Sequence, residues 1–277
     1  MNSSATAQRA RMLNAMGLGP LWVERQAALV PPVPVLAAAS VPPSVSVTAP
    51  SSAAMPAGGS VAAPVAHELV LPPAAVAPAP APAMASLDWP HLRDTVAQCQ
   101  ACALCGGRSH TVFGTGQHQA RWLFVGEGPG VHEDQQGEPF VGPAGQLLDN
   151  MLLALGLNRQ STAYITNVVK CRALDTAGKD RSPHADEIAA CLPYLERQIE
   201  LLQPQVIVAL GKTAALSLLG LAADTTLVSL RGQVHQYRQR PLIVTFHPAY
   251  LLRKPLEKSK AWADLCLAQQ TFSATVP

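Results

Sequence analysis

The sequence predicts an α/β fold: a three-layer α/β/α sandwich with a short, mostly parallel central sheet, preceded by a disordered N-terminal extension. Three observations carry this. Short apolar runs bounded by glycine or polar residues alternate with longer stretches whose apolar residues recur at helical spacing. That alternation brings successive strands into parallel neighbourhood, with helices covering both faces of the sheet. About half of the 25 prolines lie between residues 31 and 82, so a low-complexity region precedes the alternating part.

Residues 1–28 hold a short amphipathic pattern around Met12, Leu13, Met16 and Leu18, followed by Leu21-Trp22-Val23. A tail with nascent helix and a peptide that docks on a protein partner are both open; the isolated Trp22 favours docking. Residues 29–86 are almost entirely Ala, Pro, Val and Ser, which cannot build a core and favour extended polyproline geometry, so they form a linker. The folded domain is expected over residues 87–277.

Within it, Trp122-Leu123-Phe124-Val125 reads as a buried strand. The chain then turns through Gly126-Glu127-Gly128-Pro129-Gly130, where glycines permit close backbone approach to a ligand and proline stiffens the turn. A second turn, Pro139-Phe140-Val141-Gly142, precedes a helix with Leu147, Leu148, Met151, Leu152 and Leu155 on one face. Ala163 to Val169 is the second strand, and a helix from about His184 to Leu202 follows. Val206 to Leu210 is a third strand and Lys212 to Leu219 the next helix. Gln233–Arg238 and Leu242–Phe246 form a hairpin ending at His247-Pro248, and Glu257–Gln270 closes the domain as a helix. In such a sheet, ligands bind in the crevice beyond the carboxyl ends of the strands.

The net charge of +2 does not announce a nucleic-acid partner by itself. No run of 18 apolar residues exists, so no membrane span is expected, and the N-terminus lacks the apolar core of a secretory signal. A cytoplasmic, monomeric protein is the expectation. In a reducing compartment cysteines more often hold metal than pair with one another. There are six: Cys99, Cys102, Cys105, Cys171, Cys191 and Cys266. Cys99-x-x-Cys102-x-x-Cys105 is a double C-x-x-C, a spacing that lets two thiolates face one metal or cluster, and two distant cysteines could complete a four-thiolate site. Zinc and an iron–sulfur cluster are both open on spacing. Cys105 reads as ligand or spectator, Cys266 as core.

Two motifs mislead. Gly211-Lys212-Thr213 lacks the upstream glycine of a phosphate-binding loop, since Val206 stands there, and reads as a helix start. Gly126-x-Gly128 lacks the third glycine of a dinucleotide fingerprint, where Val131 stands.

Taken in order, the C-x-x-C at Cys99, VGEGPG after the first strand, GEPFVGPAGQLL, ITNVVKCR after the second and FHPAYLLR near the end strongly resemble the family 4, iron–sulfur uracil-DNA glycosylases. The resemblance spans about Cys99 to Trp262. It implies a [4Fe–4S] cluster on Cys99, Cys102, Cys171 and Cys191, and excision of uracil from single- and double-stranded DNA in base-excision repair. A base must leave the stack before its glycosidic bond is reached. On that reading Phe140 offers a stacking face, with plain core the competing reading. Asn167 reads the O4 and N3–H edge of uracil, against an asparagine that merely satisfies a turn. His247 donates to O2 of the departing anion, against a buried histidine satisfied by backbone. Glu127 positions water or balances the sugar cation, and backbone amides of Gly126 and Gly128 hold water and uracil oxygen. Superfamily relatives carry an Asp where Gly128 stands, so the expected mechanism leans on leaving-group stabilisation. Tyr250, Leu251 and Arg253 supply DNA contacts, with Leu251 an apolar wedge or core and Arg253 a phosphate partner. The alternative is a catalytically weak iron–sulfur domain that binds damaged or single-stranded DNA. A redox protein is a weaker third reading, with no flavin or nucleotide motif behind it.

Overall fold

The computed structural model describes residues 84–275. The tail expected at 1–28 and all but the last three residues of the linker expected at 29–86 lie outside the described residues.

Six strands form one sheet: β1 (Thr115–Gly116), β2 (Trp122–Gly126), β3 (Ala163–Asn167), β4 (Val206–Leu210), β5 (Val234–Tyr237) and β6 (Arg240–Thr245). Their spatial order is β1-β3-β2-β4-β6-β5. The four inner strands run parallel, with Phe124 opposite Ile165 on one side and Val208 on the other; β1 and β5 are antiparallel edges. The inner strands are buried on both faces, which is why they read as unbroken apolar runs rather than alternating ones.

The pleat divides each inner strand between two cores. Leu123, Val125, Tyr164, Ile207 and Ala209 point to one face. There they pack on α1 (Trp89–Ala97), α4 (Ala185–Leu202) and α5 (Lys212–Leu219) through Leu92, Leu195, Ile199 and Leu218. Trp122, Phe124, Ile165, Val208 and Ile243 point to the other. That face meets α3 (Pro143–Ala154), α7 (Pro248–Arg253) and α8 (Lys258–Thr275) through Leu148, Met151, Leu251 and Leu265. Helices on both faces of one sheet make the three layers expected.

Two further short α-helices are α2 (Val131–Gln136) and α6 (Leu227–Leu230), and single 3-10 turns form at Ala103–Gly106 and Pro255–Glu257. From β2 the chain steps to β3 on one side, and later to β4 on the other. The loops after β2 and β4 therefore part in opposite directions and open a crevice at the carboxyl ends of the strands. Among the described residues no helix is long and apolar enough to cross a membrane.

Candidate functional site

The crevice is a cleft of about 1360 Å³, counting its open mouth. Glu127 and Gly128 reach it from the turn after β2, Phe140 from the second turn, Asn167 from the end of β3, and His247 and Tyr250 from the segment after β6. Arg253 also lines it. Two residues expected in the site do not line it. Gly126 is buried behind it: a Cβ there would overlap Asn167 Oδ1 and come within 2.6 Å of Phe140 Cζ. Its contribution is the absence of a side chain, which lets ring and amide close in over the strand end. Leu251 is fully buried in the core beneath α7, while Leu252 is 44 % exposed. Successive helical residues point about 100° apart, so the apolar side chain that α7 turns outward is Leu252, and Leu251 anchors the helix.

Phe140 sits at φ 55°, a left-handed conformation that bulky residues seldom adopt. Three features hold it there. Arg159 donates to the carbonyls of Pro139 (3.2 Å) and Phe140 (2.7 Å) while its Nε is held by Asp149 at 2.7 Å. Gly145 admits the Phe140 carbonyl against the first turn of α3, where a Cβ would overlap it. Glu133 accepts from the amides of Val141 and Gly142, both at 3.0 Å, and from Gly130 at 3.1 Å, so one carboxylate ties the two turns together. The Phe140 ring then lies 5.5 Å from the His247 ring, tilted 30°.

His247 is the N-cap of α7, and its Nδ1 accepts the amide of Ala249 at 3.2 Å. An acceptor at Nδ1 puts the proton of the neutral ring on Nε2, which is left as a donor. Desolvation lowers its pKa to about 4, and nearby Arg253 adds to the shift while Glu133 opposes it. The ring is therefore neutral at physiological pH. Gly211, at φ 96°, leaves the space that the His247 Cβ fills, 3.1 Å from where a glycine Cβ would stand.

Asn167 is 1 % exposed, and its Oδ1 has no hydrogen-bond partner. An unmet buried acceptor costs about 1–3 kcal/mol. Here it lines a cleft, where a ligand's N–H can satisfy it. Glu127 is gripped by the hydroxyls of Thr213 and Ser182, the latter at 3.3 Å. Gly211-Lys212-Thr213 is thus the helix start that was expected, and Thr213 also orients the Glu127 carboxylate. Lys212, Arg181 and Arg253 place cations at the cleft. Arg181 is committed to Glu187 through two bonds of 2.7 and 2.6 Å.

A second hollow, about 330 Å³ with its opening, is lined by Cys99, Cys102, Cys105, Cys171 and Cys191. Cys99 and Cys102 follow α1, Cys171 follows β3, and Cys191 projects from α4. Several donors already face the sulfurs: Arg108 to Cys171 (3.1 Å), the Tyr194 hydroxyl to Cys99 (3.2 Å) and the Lys170 amide to Cys191 (3.3 Å). Donors converging on sulfur suit thiolates, because N–H and O–H bonds stabilise their charge. Among the described residues no three Cys, His, Asp or Glu side chains close on a single ion as they stand. Burial raises the pKa of Cys102 and Cys171 and takes Cys191 to about 12, so any metal bound here would have to displace protons. Cys266 lies on α8, outside this hollow.

Sequence reasoning missed Glu133, Arg159, Gly145 and Lys170. Gly130-x-x-Glu133 ahead of α2 was a readable helix-start signal. Arg159 acts across about 20 residues of chain on backbone carbonyls, for which no local pattern exists.

Known proteins have sequences related to this one. The family described as Uracil DNA glycosylase superfamily matches residues 113–266. The Type-4 uracil-DNA glycosylase of Pyrobaculum aerophilum is 40 % identical over 188 residues, covering 65 % of this chain and 93 % of that protein. The Type-4 uracil-DNA glycosylase of Thermotoga maritima is 44 % identical over 161 residues, 58 % of this chain and 81 % of that protein. A Type-5 uracil-DNA glycosylase of Pyrobaculum aerophilum is 29 % identical over 150 residues, 49 % of this chain and 64 % of that protein.

Proposed function

Because the chain belongs to the uracil DNA glycosylase superfamily, we propose that its cleft takes a uracil swung out of DNA and hydrolyses the N-glycosidic bond, leaving an abasic site. The observation that carries this is the orphaned Oδ1 of Asn167, buried at the wall of a cleft that also holds the Phe140 and His247 rings. Uracil presents a donor at N3 and an acceptor at O4. The Asn167 amide offers the complementary acceptor and donor. Cytosine carries an amine at position 4 and a bare N3, so both contacts would be mismatched.

Phe140 covers one face of the extruded base, and stacking of this kind contributes roughly 1–3 kcal/mol. As the glycosidic bond stretches, positive charge develops on the sugar and negative charge on the uracil ring. His247, neutral and with its proton on Nε2, donates to O2 where that negative charge gathers. The Glu127 carboxylate, fixed by Thr213 and Ser182, sets a negative charge beside the sugar and can align the attacking water. Lys212 and Arg253 meet the phosphates, and Leu252 is the side chain placed to fill the gap left by the flipped base.

We further propose that Cys99, Cys102, Cys171 and Cys191 hold a [4Fe–4S] cluster. The gathering of these cysteines around one hollow and the donors on their sulfurs support it. Bound there, the cluster would cross-link α1, the segment after β3 and α4; hydrolysis needs no electron transfer from it.

The experiment is uracil release from single- and double-stranded oligonucleotides by purified protein, with iron and sulfide measured on the same sample. Release with about four irons per chain is expected. No release by fully loaded protein would leave a DNA-binding domain without excision. A narrower prediction concerns the reader. Asn167→Asp turns the amide's donor into an acceptor, so excision of uracil should fall at least tenfold, with a larger relative rate on cytosine. Unchanged rates on both bases would remove Asn167 from recognition.

A further inference from the structure

The ammonium of Lys170 is among the most enclosed groups in the domain. The residue is 1 % exposed, yet its Nζ meets three acceptors at 2.7 Å each: Thr166 Oγ1, the backbone carbonyl of Asn167 and Gln198 Oε1. An ammonium has three donors, so every one is used. All three acceptors are neutral. The nearby groups able to carry an opposing charge are Cys171 and Cys191 of the adjoining hollow, and a cation buried among neutral acceptors is a costly way to fill a core position. The cost makes sense if those bonds fix something that a methionine could not.

What they fix is the peptide behind the pyrimidine reader. The Asn167 Oδ1 has no partner in the protein, so no side-chain bond aims the amide. Its direction is set by its own backbone and by the close pass over Gly126. β3 ends at Asn167, and the next amides, Val168 and Val169, are held by the carbonyls of Gly126 (2.9 Å) and Glu127 (3.1 Å). Lys170 curls back from three residues on and holds the Asn167 carbonyl itself. Gln198 ties this group to the segment ahead of β1, donating to the Phe113 carbonyl at 2.9 Å, and lies on the helix that carries Cys191. The Lys170 amide donates to Cys191 Sγ at 3.3 Å. One residue thus spans the wall between the cysteine hollow and the cleft.

We infer that Lys170 is a positioning residue for uracil recognition, its ammonium locking the Asn167 peptide so that the Asn167 amide points into the cleft. The inference rests on Asn167 being the reader, as proposed above.

The test is a double-mutant cycle read by single-turnover excision from a uracil oligonucleotide, with iron, sulfide and thermal midpoint measured for each variant. Lys170→Met keeps the length and removes the donors. In the wild-type background it should slow excision about tenfold or more, the scale of a lost bond to a charged donor. In an Asn167→Ala background the same change should cost less than about twofold, because the group that Lys170 serves is gone. Equal losses in both backgrounds, or no loss in the first, overturn the inference and leave Lys170 as a support of the fold alone. Full activity in Asn167→Ala by itself overturns the reading of Asn167, and this inference with it. If Lys170→Met does not fold, Thr166→Val removes one acceptor with little change of shape and runs the same cycle. A loss that vanishes without the Asn167 amide supports the inference; an additive loss, or none, overturns it.

Discussion

Replacing His247 with alanine should lower the rate of uracil release about 10²–10³-fold, the usual scale for removing a donor that meets developing charge. The loss should fall on the chemical step, since the proton on Nε2 meets a charge that gathers on uracil only as the glycosidic bond breaks. Binding of an uncleavable uracil oligonucleotide should change much less. The pH dependence gives a second check. The ring accepts a backbone amide at Nδ1 and is kept neutral until about pH 4 by desolvation and Arg253. The ring should therefore take up no second proton as pH falls from 7 to about 5, and excision should show no inflection from it in that range. A change in rate, in either direction, with a midpoint near 6.5 in the wild type and not in His247→Ala would contradict the neutral-donor assignment. Stability follows from the same shift. The folded pKa lies below the ordinary 6.5, so between pH 6.5 and about 4 the unfolded chain takes up a proton that the folded chain refuses. Stability is lost as pH falls through that window. His247→Ala removes this contribution, so its thermal midpoint should decline less steeply between pH 7 and pH 5 than that of the wild type.

The parts of this molecule legible in its sequence are those whose surroundings are uniform. β2, β3 and β4 are buried on both faces and read as plain apolar runs; α3 and α4 bury one face and read by their period. Phe140, Asn167 and His247 were reached through the family resemblance, on the segments GEPFVG, ITNVV and FHPAY. What stayed hidden depends on one-residue geometry or on distant chain. The β5–β6 turn places Arg238 and Gln239 at φ 45° and 68° with neither glycine nor asparagine to mark it. Leu251 and Leu252 are adjacent and chemically identical, so only the rotation of α7 about its axis decides which is core. α1 buries just Leu92 and Val96 along its length, too thin a stripe to announce a helix. Glu133 and Asp134, just after the first turn, carry no role in the site that is legible in the sequence. In the fold Glu133 staples two turns, and Asp134 accepts from Ser109 at 2.9 Å while only 3 % exposed. Those roles exist only once the turns have met.

Gly145→Ala tests that meeting directly, and it should damage both stability and excision. The added Cβ would overlap the carbonyl of Phe140 and lie 3.0 Å from its Cα. These are backbone atoms, so no rotamer change relieves the contact. The peptide cannot retreat freely either, because Arg159 holds the same carbonyl at 2.7 Å and is itself tied to Asp149. Either α3 slides away from the turn, disturbing Leu147 and Leu148 in the core, or Phe140 leaves its left-handed conformation. Both moves take the ring off its place beside His247. Overpacking of this kind costs about 1–3 kcal/mol. A misplacement near 1 Å in a site can cost about 10²-fold in rate. Gly156→Ala is the matched control. It follows the same helix, at φ 73°, with nothing within 4 Å of the new Cβ. It strains the backbone by roughly 1–2 kcal/mol without touching the cleft, so it should lower the denaturation midpoint and leave excision unchanged. If the two variants lose stability alike and both excise normally, the tight approach at Gly145 is a packing detail, and Phe140 is held in place by Arg159 and Glu133.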